Sequence, residues 1–416
     1  MSLLKPISVY AFTIFFNAAI SFVTFSILTH HLTEVDYGII NLYSAFIVFL
    51  SPFIAVGVQF VIGVDFFKMD PAAFKSRFTS AIAIPLASAT LFTVFFVVFG
   101  VYIQQWLKIN FLFTVLLPLI CLITIFNDVF LSLSRNKGKH FLFAGYSVFK
   151  NVLEIGLTLL LIVGLGYRWE GRLTSLLLSS IAVIIVVAYV IHRWGLLSKR
   201  IDHQEARRTA YAGMPFIPER LAIFVLGFSD RFFINYYEGT ADVGYYSAAA
   251  QLALIVNLTI ITLCNAFYPA IFRSLSADDP AAKRTLKRIT FQFIGFSAVA
   301  ALGVTIAVPF FFKYFIGSHF APGEKYAVYL IVGLFFWAVY NVFLAYLLNT
   351  RKNRLIMFIS IAGMGLSLAL NFFTVKYYGA LGATYSSIVV YGFMAAAAIY
   401  FTNRFYGLKK LFARSV

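Results

Sequence analysis

The sequence predicts an all-α integral membrane protein of about twelve transmembrane helices, and three observations carry that expectation. Residues of the Ala, Val, Ile, Leu, Met, Phe, Trp, Tyr and Cys set make up 61% of the 416 residues and only 12% are charged, far from the mix of a soluble domain. Apolar stretches of about 20 residues recur from end to end, each long enough to cross a hydrocarbon layer about 30 Å thick as a helix. Runs such as Ile184 to Ile191 do not alternate apolar with polar residues, as the strands of a transmembrane barrel must.

The spans fall at about 7–29, 38–63, 79–103, 111–133, 143–165, 173–192, 214–236, 245–270, 289–312, 327–349, 356–375 and 381–402. The first follows Lys5 and reads as a retained span, because the second begins within about ten residues of its end. The second opens on Asp36-Tyr37-Gly38, an acid suited to capping a helix beside a turn glycine. The fourth runs out into a basic loop at Arg135. The seventh starts among Pro215 and Pro218, two prolines in one turn that bend or unwind its beginning, and ends at the interfacial pair Tyr236 and Tyr237. The eighth opens on Asp242-Val243-Gly244, the tenth runs out at Arg351, and the twelfth opens on Leu381-Gly382-Ala383. Cys121 and Cys264 lie inside spans with no Cys or His at ligand spacing and read as small apolar residues.

A formal net charge of +17 here gives orientation and does not imply a nucleic-acid partner. With the N-terminus inside, 24 of the 33 Lys and Arg residues fall in cytoplasmic segments, and only Lys108, Arg168, Arg172, Lys313, Lys325 and Lys376 in outer ones. Both termini are therefore expected in the cytoplasm. The longest polar stretch, about 193–213, carries five basic residues and reads as a linker that can be helical and lie on anionic headgroups. It joins an N-terminal lobe, 1–200, to a C-terminal lobe, 201–416.

An internal repeat supports that division. Asp36 and Gly38 recur as Asp242 and Gly244 at the start of the eighth span, and Asn127-Asp128-Val129-Phe130-Leu131 in the fourth resembles Asn341-Val342-Phe343-Leu344 in the tenth. Span two thus matches eight and span four matches ten, a parallel six-helix repeat of a kind used by transporters.

With these residues in view, the chain resembles the Wzx-type polysaccharide flippases of the multidrug/oligosaccharidyl-lipid/polysaccharide exporter superfamily. The likeness covers nearly the whole chain: its length, its twelve spans, Leu32-Thr33-Glu34-Val35-Asp36-Tyr37-Gly38, Asp230-Arg231-Phe232-Phe233-Ile234, Val243-Gly244-Tyr245-Tyr246 and Leu381-Gly382-Ala383. It implies two six-helix lobes in a V around a central cavity, as in MATE transporters, working by alternating access. It also implies export of an undecaprenyl-diphosphate-linked oligosaccharide, such as an O-antigen unit of lipopolysaccharide, across a bacterial inner membrane.

Ionisable groups inside spans cost about 2.5–3.5 kcal/mol each near the centre, so each needs a reason. Lys150 and Glu154 share a face of the fifth span, either as a neutralising pair or as a cavity face on which Lys150 contacts anionic substrate and Glu154 exchanges a proton or sodium ion. Asp230 and Arg231 are adjacent in the seventh span, about 100° apart on a continuous helix, and should find partners elsewhere, as a gate or by snorkelling. Glu219 and Arg220 follow the prolines, and Asp128 lies within reach of Lys150 or Arg135. The expected substrate-binding set is Lys150, Arg231, Arg220 and Asn151, and the ion-coupling or gating set is Glu154, Asp230, Asp128 and Glu219. Asparagines such as Asn17, Asn127 and Asn371 suit hydrogen bonds between helices.

No phosphate-binding G-x-x-x-x-G-K loop occurs, since Leu133 stands where Gly138-Lys139 would need a glycine, and His30-His31 lack the spacing of a helical metal site. No enzyme activity, cofactor or metal is expected. Two other readings compete: a small-molecule/cation antiporter of the same superfamily, and a membrane glycosyltransferase, polymerase or ligase, for which the short outer loops leave little room. Charged residues within the spans are near balance, which leaves the antiporter open.

Overall fold

The computed structural model describes residues 4–107, 109–277, 280–350 and 353–407, so Lys108, Arg351, Lys352, Lys409, Lys410 and Arg414 of the charge map lie outside the described residues. The chain is all-helical, as expected. Its helices are α1 (Leu4–His31), α2 (Glu34–Ala55), α3 (Val58–Lys68), α4 (Pro71–Leu107), α5 (Phe111–Asn136), α6 (His140–Leu159), α7 (Trp169–Arg193), α8 (His203–Gly213), α9 (Phe216–Phe228), α10 (Asp230–Tyr237), α11 (Thr240–Ser276), α12 (Pro280–Tyr314), α13 (Glu324–Asn349), α14 (Asn353–Tyr378) and α15 (Ala380–Tyr406). Each of the twelve expected spans carries helix. Among the described residues ten helices are long and apolar enough to cross a membrane; α6 reaches that length through a π-helical turn, Leu160–Gly164. The other two expected spans are α1, of 28 residues, and the α9–α10 pair, which reaches a membrane's thickness only jointly.

Two compact units divide the chain, residues 1–224 and 225–416. The stretch read as a linker is not free: α8 packs on α3 and α4 of the first unit. Asp202 caps it, accepting from the backbone N–H groups of Gln204 (2.8 Å) and Glu205 (3.3 Å). Arg77 of α4 fastens it, its guanidinium lying 3.0 Å from Glu205 and 3.3 Å from Asp65 of α3.

Helix neighbours inside the two units follow one pattern. In the first, α2 packs on α4 and α5, α4 on α5, α1 on α6, α5 on α7 and α6 on α7; in the second, α11 packs on α12 and α13, α12 on α13, α10 on α14, α13 on α15 and α14 on α15. Matched in order, each of these pairs has its counterpart in the other unit, while the packing of α8 on α3 and α4 in the first unit has none among the described residues of the second.

Helix ends follow local chemistry. At α2 the Thr33 side chain accepts from the Asp36 N–H while Asp36 accepts from the Thr33 N–H, a capping box, and Arg168 adds an ion pair to Asp36 at 3.1 Å. Its counterpart Asp242 makes no such cap: α11 starts behind Gly239, whose φ is 103°. The second span is broken where the sequence suggested continuity. Val56 (φ 44°) and Gly57 (φ 68°) adopt left-handed backbone between α2 and α3, and a β-carbon on Gly213 would lie 1.9 Å from the Val56 carbonyl oxygen. Glycine is needed on both sides because the backbones of α8 and the break touch. Close approach also explains the Leu381-Gly382-Ala383 run, since a β-carbon on Gly382 would meet the Thr374 carbonyl oxygen at 2.0 Å.

Apolar side chains divide between packing and lipid. Phe74, Phe78, Val129, Phe130, Leu133, Val183 and Val187 form a buried cluster in the first unit. Leu91, Val94, Phe95, Val98 and Tyr102 recur at helical spacing along one exposed face of α4, as expected of a surface solvated by acyl chains.

Candidate functional site

In the first unit, charge collects on α5, α6 and the start of α9. Asp128 lies about 12 Å along α5 from its basic end, Lys150 about 15 Å along α6, and Arg220 about 6 Å into α9. These groups face one another: Lys150, Arg220 and Arg135 all act electrostatically on the Asp128 carboxylate, Lys150 most strongly. Yet among the described residues neither Lys150 nor Arg220 has an acidic group within ion-pair distance. The Arg220 guanidinium stacks over Phe60 at 4.5 Å, Phe60 in turn stacks on Phe216, and the Arg220 Nε is buried with no hydrogen-bond partner. Pro218 falls in the first turn of α9, where its missing N–H is harmless, and a Met214–Pro215 turn precedes it. That local break sets Arg220 beside α3. Asn151 follows Lys150 at the same level, and Glu219 is exposed beside Arg220.

Glu154 is placed otherwise than its spacing suggested. Its carboxylate accepts from Arg172 Nη2 at 2.6 Å, and Arg172 Nη1 donates to Thr158 at 2.9 Å, so Lys150 is left without the pairing partner four residues on. Arg172, assigned to an outer loop by charge counting, belongs to the first turn of α7 and reaches into the helix pair. Ser175 completes a polar chain with Thr158 at 2.7 Å. Every group there has a partner, which marks a fastening of α6 to α7.

The second unit holds the other ionisable pair at a helix break. The expectation that Asp230 and Arg231 could not meet assumed a continuous helix, and the structure corrects it: α9 stops at Phe228, α10 starts at Asp230, and Arg231 Nη1 lies 3.0 Å from Asp230 Oδ1. Three carbonyls just before the break find side-chain donors. Ser229 Oγ donates to the Val225 carbonyl (2.7 Å), Tyr391 to Leu226 (2.9 Å) and Arg231 Nη1 to Gly227 (3.0 Å). Asp230 also accepts from its neighbour's N–H at 2.8 Å and from the Tyr246 hydroxyl, and the guanidinium lies over the Phe228 and Tyr246 rings. Both charged residues are only 8% exposed. The arrangement consumes the charge of Arg231 locally.

Of the asparagines, Asn17 donates to Ser147 across α1 and α6 at 2.8 Å, and Asn127 accepts from the Tyr146 hydroxyl across α5 and α6. Asn371 instead bonds within its own helix, to Ser367 at 3.4 Å. Sequence reasoning missed the roles of Arg172, Tyr246 and Tyr391; Arg172 sits in the first turn of α7, while Tyr246 and Tyr391 lie inside α11 and α15 and carry only a polar tip within an apolar run.

The family model of the polysaccharide biosynthesis proteins matches residues 3–275. The chain belongs to that family. A second model, MatE, matches residues 215–373. Two curated proteins of Haemophilus influenzae are similar: "Lsg locus putative protein 1", 26% identical over 55% of this chain and 59% of its own length, and an "Uncharacterized membrane protein", 25% identical over 53% of each. The chain thus spans little more than half the length of the curated relatives it matches. Among solved structures, the inward closed conformation of lipid II flippase MurJ superposes with a TM-score of 0.76 over 95% of this chain and 87% of its own, at 12% identity. A multidrug resistance MATE family transporter of the MOP superfamily, inward-facing, superposes with a TM-score of 0.71 over 96% of both chains, at 14% identity. The fold of this family member is therefore the MATE-type helical fold.

Proposed function

We propose that this protein is a flippase that carries an undecaprenyl-diphosphate-linked oligosaccharide, such as an O-antigen unit, from the cytoplasmic to the outer leaflet of a bacterial inner membrane. The observation that carries the reading is the pair of cations in the first unit, Lys150 and Arg220, which among the described residues have no carboxylate at ion-pair distance. A diphosphate is the part of the substrate most opposed by a low-dielectric layer, and fixed cations in a hydrated recess offset that penalty. The ammonium supplies a compact, reorientable charge and the guanidinium a planar fork, both suited to phosphate oxygens.

Asp128 takes the coupling role first considered for Glu154, whose carboxylate is engaged by Arg172. A proton or sodium ion at Asp128 would strengthen the positive field around Lys150, and its loss would weaken it, so anion binding and ion movement are linked. Arg231, locked to Asp230, serves the helix break. Both termini lie in the cytoplasm in this reading, and no covalent chemistry is needed.

Lys150→Ala and Arg220→Ala are each expected to lower glycan export by about 10- to 100-fold, the equivalent of one or two charge-assisted hydrogen bonds, with the protein still in the membrane. Surface glycan measured at matched expression tests this, and wild-type export in both variants would remove the site. The MatE match over 215–373 favours a second reading, cation antiport. Three cations around Asp128 make that region a poor seat for an organic cation, and efflux of such a cation that depends on Asp128 would favour it nonetheless.

A further inference from the structure

At the end of the second unit opposite its basic loops, three tyrosines from three helices converge. Tyr329 of α13 and Tyr385 of α15 pack edge to face with ring centroids 5.3 Å apart, and Tyr378 of α14 packs on Tyr385 at 6.1 Å. Tyr329 is 38% and Tyr378 64% exposed. Beside them stands Glu238, just past α10. Its carboxylate atoms lie 2.7 Å from where a β-carbon on Gly379 would be, so the left-handed glycine (φ 57°) between α14 and α15 leaves room for an acid against the turn. Among the described residues this carboxylate has no ion pair and no hydrogen bond. The buried Tyr326 lies within electrostatic range of Glu238 and Asp242, and the Lys325 ammonium sits over the Tyr326 ring at 5.1 Å.

We propose that Tyr329, Tyr378, Tyr385 and Glu238 form a saccharide-binding site that receives pyranose rings of the transported glycan at the outer face. The site rests on the flippase reading above and extends it to the sugar. Ring faces offer broad apolar contact to the C–H side of a pyranose, while phenol hydroxyls and a free carboxylate exchange hydrogen bonds with its hydroxyls. Interfacial tyrosines alone need only an apolar ring and a wet tip, and do not need a carboxylate beside them. That carboxylate repels the phosphate of a lipid headgroup, and among uncharged ligands a polyhydroxyl one matches both the ring faces and the hydrogen-bonding groups. An organic cation, drawn by Glu238 and Asp242 against Lys325, is the competing occupant that the test separates. Contacts of this kind are individually weak, as a release site requires.

Saturation-transfer NMR on the purified full chain in nanodiscs tests the assignment. The probe is the oligosaccharide freed by mild acid from the lipid-linked units that accumulate in cells lacking the transporter. Irradiating the tyrosine rings is expected to saturate sugar-ring protons. The signal should fall about fivefold or more in Tyr378→Ala/Tyr385→Ala, fall measurably in Glu238→Gln, and persist in Tyr378→Phe/Tyr385→Phe, which keeps the ring faces. If the double Ala variant does not fold, Tyr378→Ala alone, at an exposed helix end, carries the same comparison. No transfer in the wild type overturns the site, as does transfer unaltered by the Ala variants, the result expected of interfacial anchoring alone. Binding of tetraphenylphosphonium at these tyrosines in place of the sugar would also overturn it. A chain that exports glycan in cells yet transfers no saturation loses only this site. A chain that exports none loses the flippase reading whatever the spectra show.

Discussion

Asp230→Ala is expected to destabilise the protein by about 3–5 kcal/mol, because it strands a guanidinium that has little access to water. The Asp230 carboxylate accepts from three groups at once: the Arg231 side chain, the Arg231 N–H and the Tyr246 hydroxyl. Its removal leaves the Arg231 guanidinium the Phe228 and Tyr246 ring faces and, among the described residues, the Gly227 carbonyl as its hydrogen-bond acceptor, and frees the Arg231 N–H at the start of α10 within a membrane span. Tyr391→Phe removes one donor to the Leu226 carbonyl and should cost about 1 kcal/mol. Thermal unfolding of the two purified variants in the same detergent checks the ordering. An Asp230→Ala protein that melts with the wild type would mean that the break is held by other contacts.

Gly213→Ala is the second large effect expected. The added methyl would meet the Val56 carbonyl oxygen at 1.9 Å and its carbon at 3.0 Å, and neither atom belongs to a side chain that can swing away. Either α8 leaves α3 and α4 or the left-handed turn at Val56–Gly57 rearranges, and the loss should reach about 3 kcal/mol, the upper end of overpacking effects. Gly295→Ala is the control, for a methyl there meets nothing within 4 Å. It replaces a glycine inside α12 and should be neutral or stabilise by about 0.5–1 kcal/mol. Hydrogen exchange across residues 55–60 should rise in the first variant and stay unchanged in the second.

The helices were legible in the sequence because a span is defined by apolar length alone, a property that no tertiary contact can override. Their interruptions were not. Val56 has no local reason to enter left-handed backbone, and what fixes it is contact with Gly213, far along the chain. Ser229-Asp230 carries helix-capping chemistry, but inside an apolar run it reads as a polar blemish, and assuming a continuous helix there put Asp230 and Arg231 on different faces. The same holds for the site. Placing ionisable residues within spans put Asp128 within reach of Lys150 or Arg135, since few charges are tolerated there, but set Arg220 apart with Glu219 at the prolines, and the structure adds it to the groups around Asp128. Pairing by spacing failed at Glu154, whose partner Arg172 lies 18 residues on and arrives through the packing of α7 against α6. Side chains as long as arginine reach across helices, and sequence spacing measures only one helix at a time.

The central claim is that Lys150 and Arg220 carry the diphosphate of a lipid-linked glycan through the membrane. Purified protein reconstituted into liposomes with a fluorescently labelled oligosaccharide on undecaprenyl diphosphate measures this directly, as the label moves into reach of an impermeant quencher outside. The account predicts movement by the wild type and at least about tenfold slower movement by Lys150→Ala/Arg220→Ala, with Lys150→Arg retaining most of the rate. Equal rates in the wild type and the Ala pair, with both folded to the same melting temperature, would contradict it.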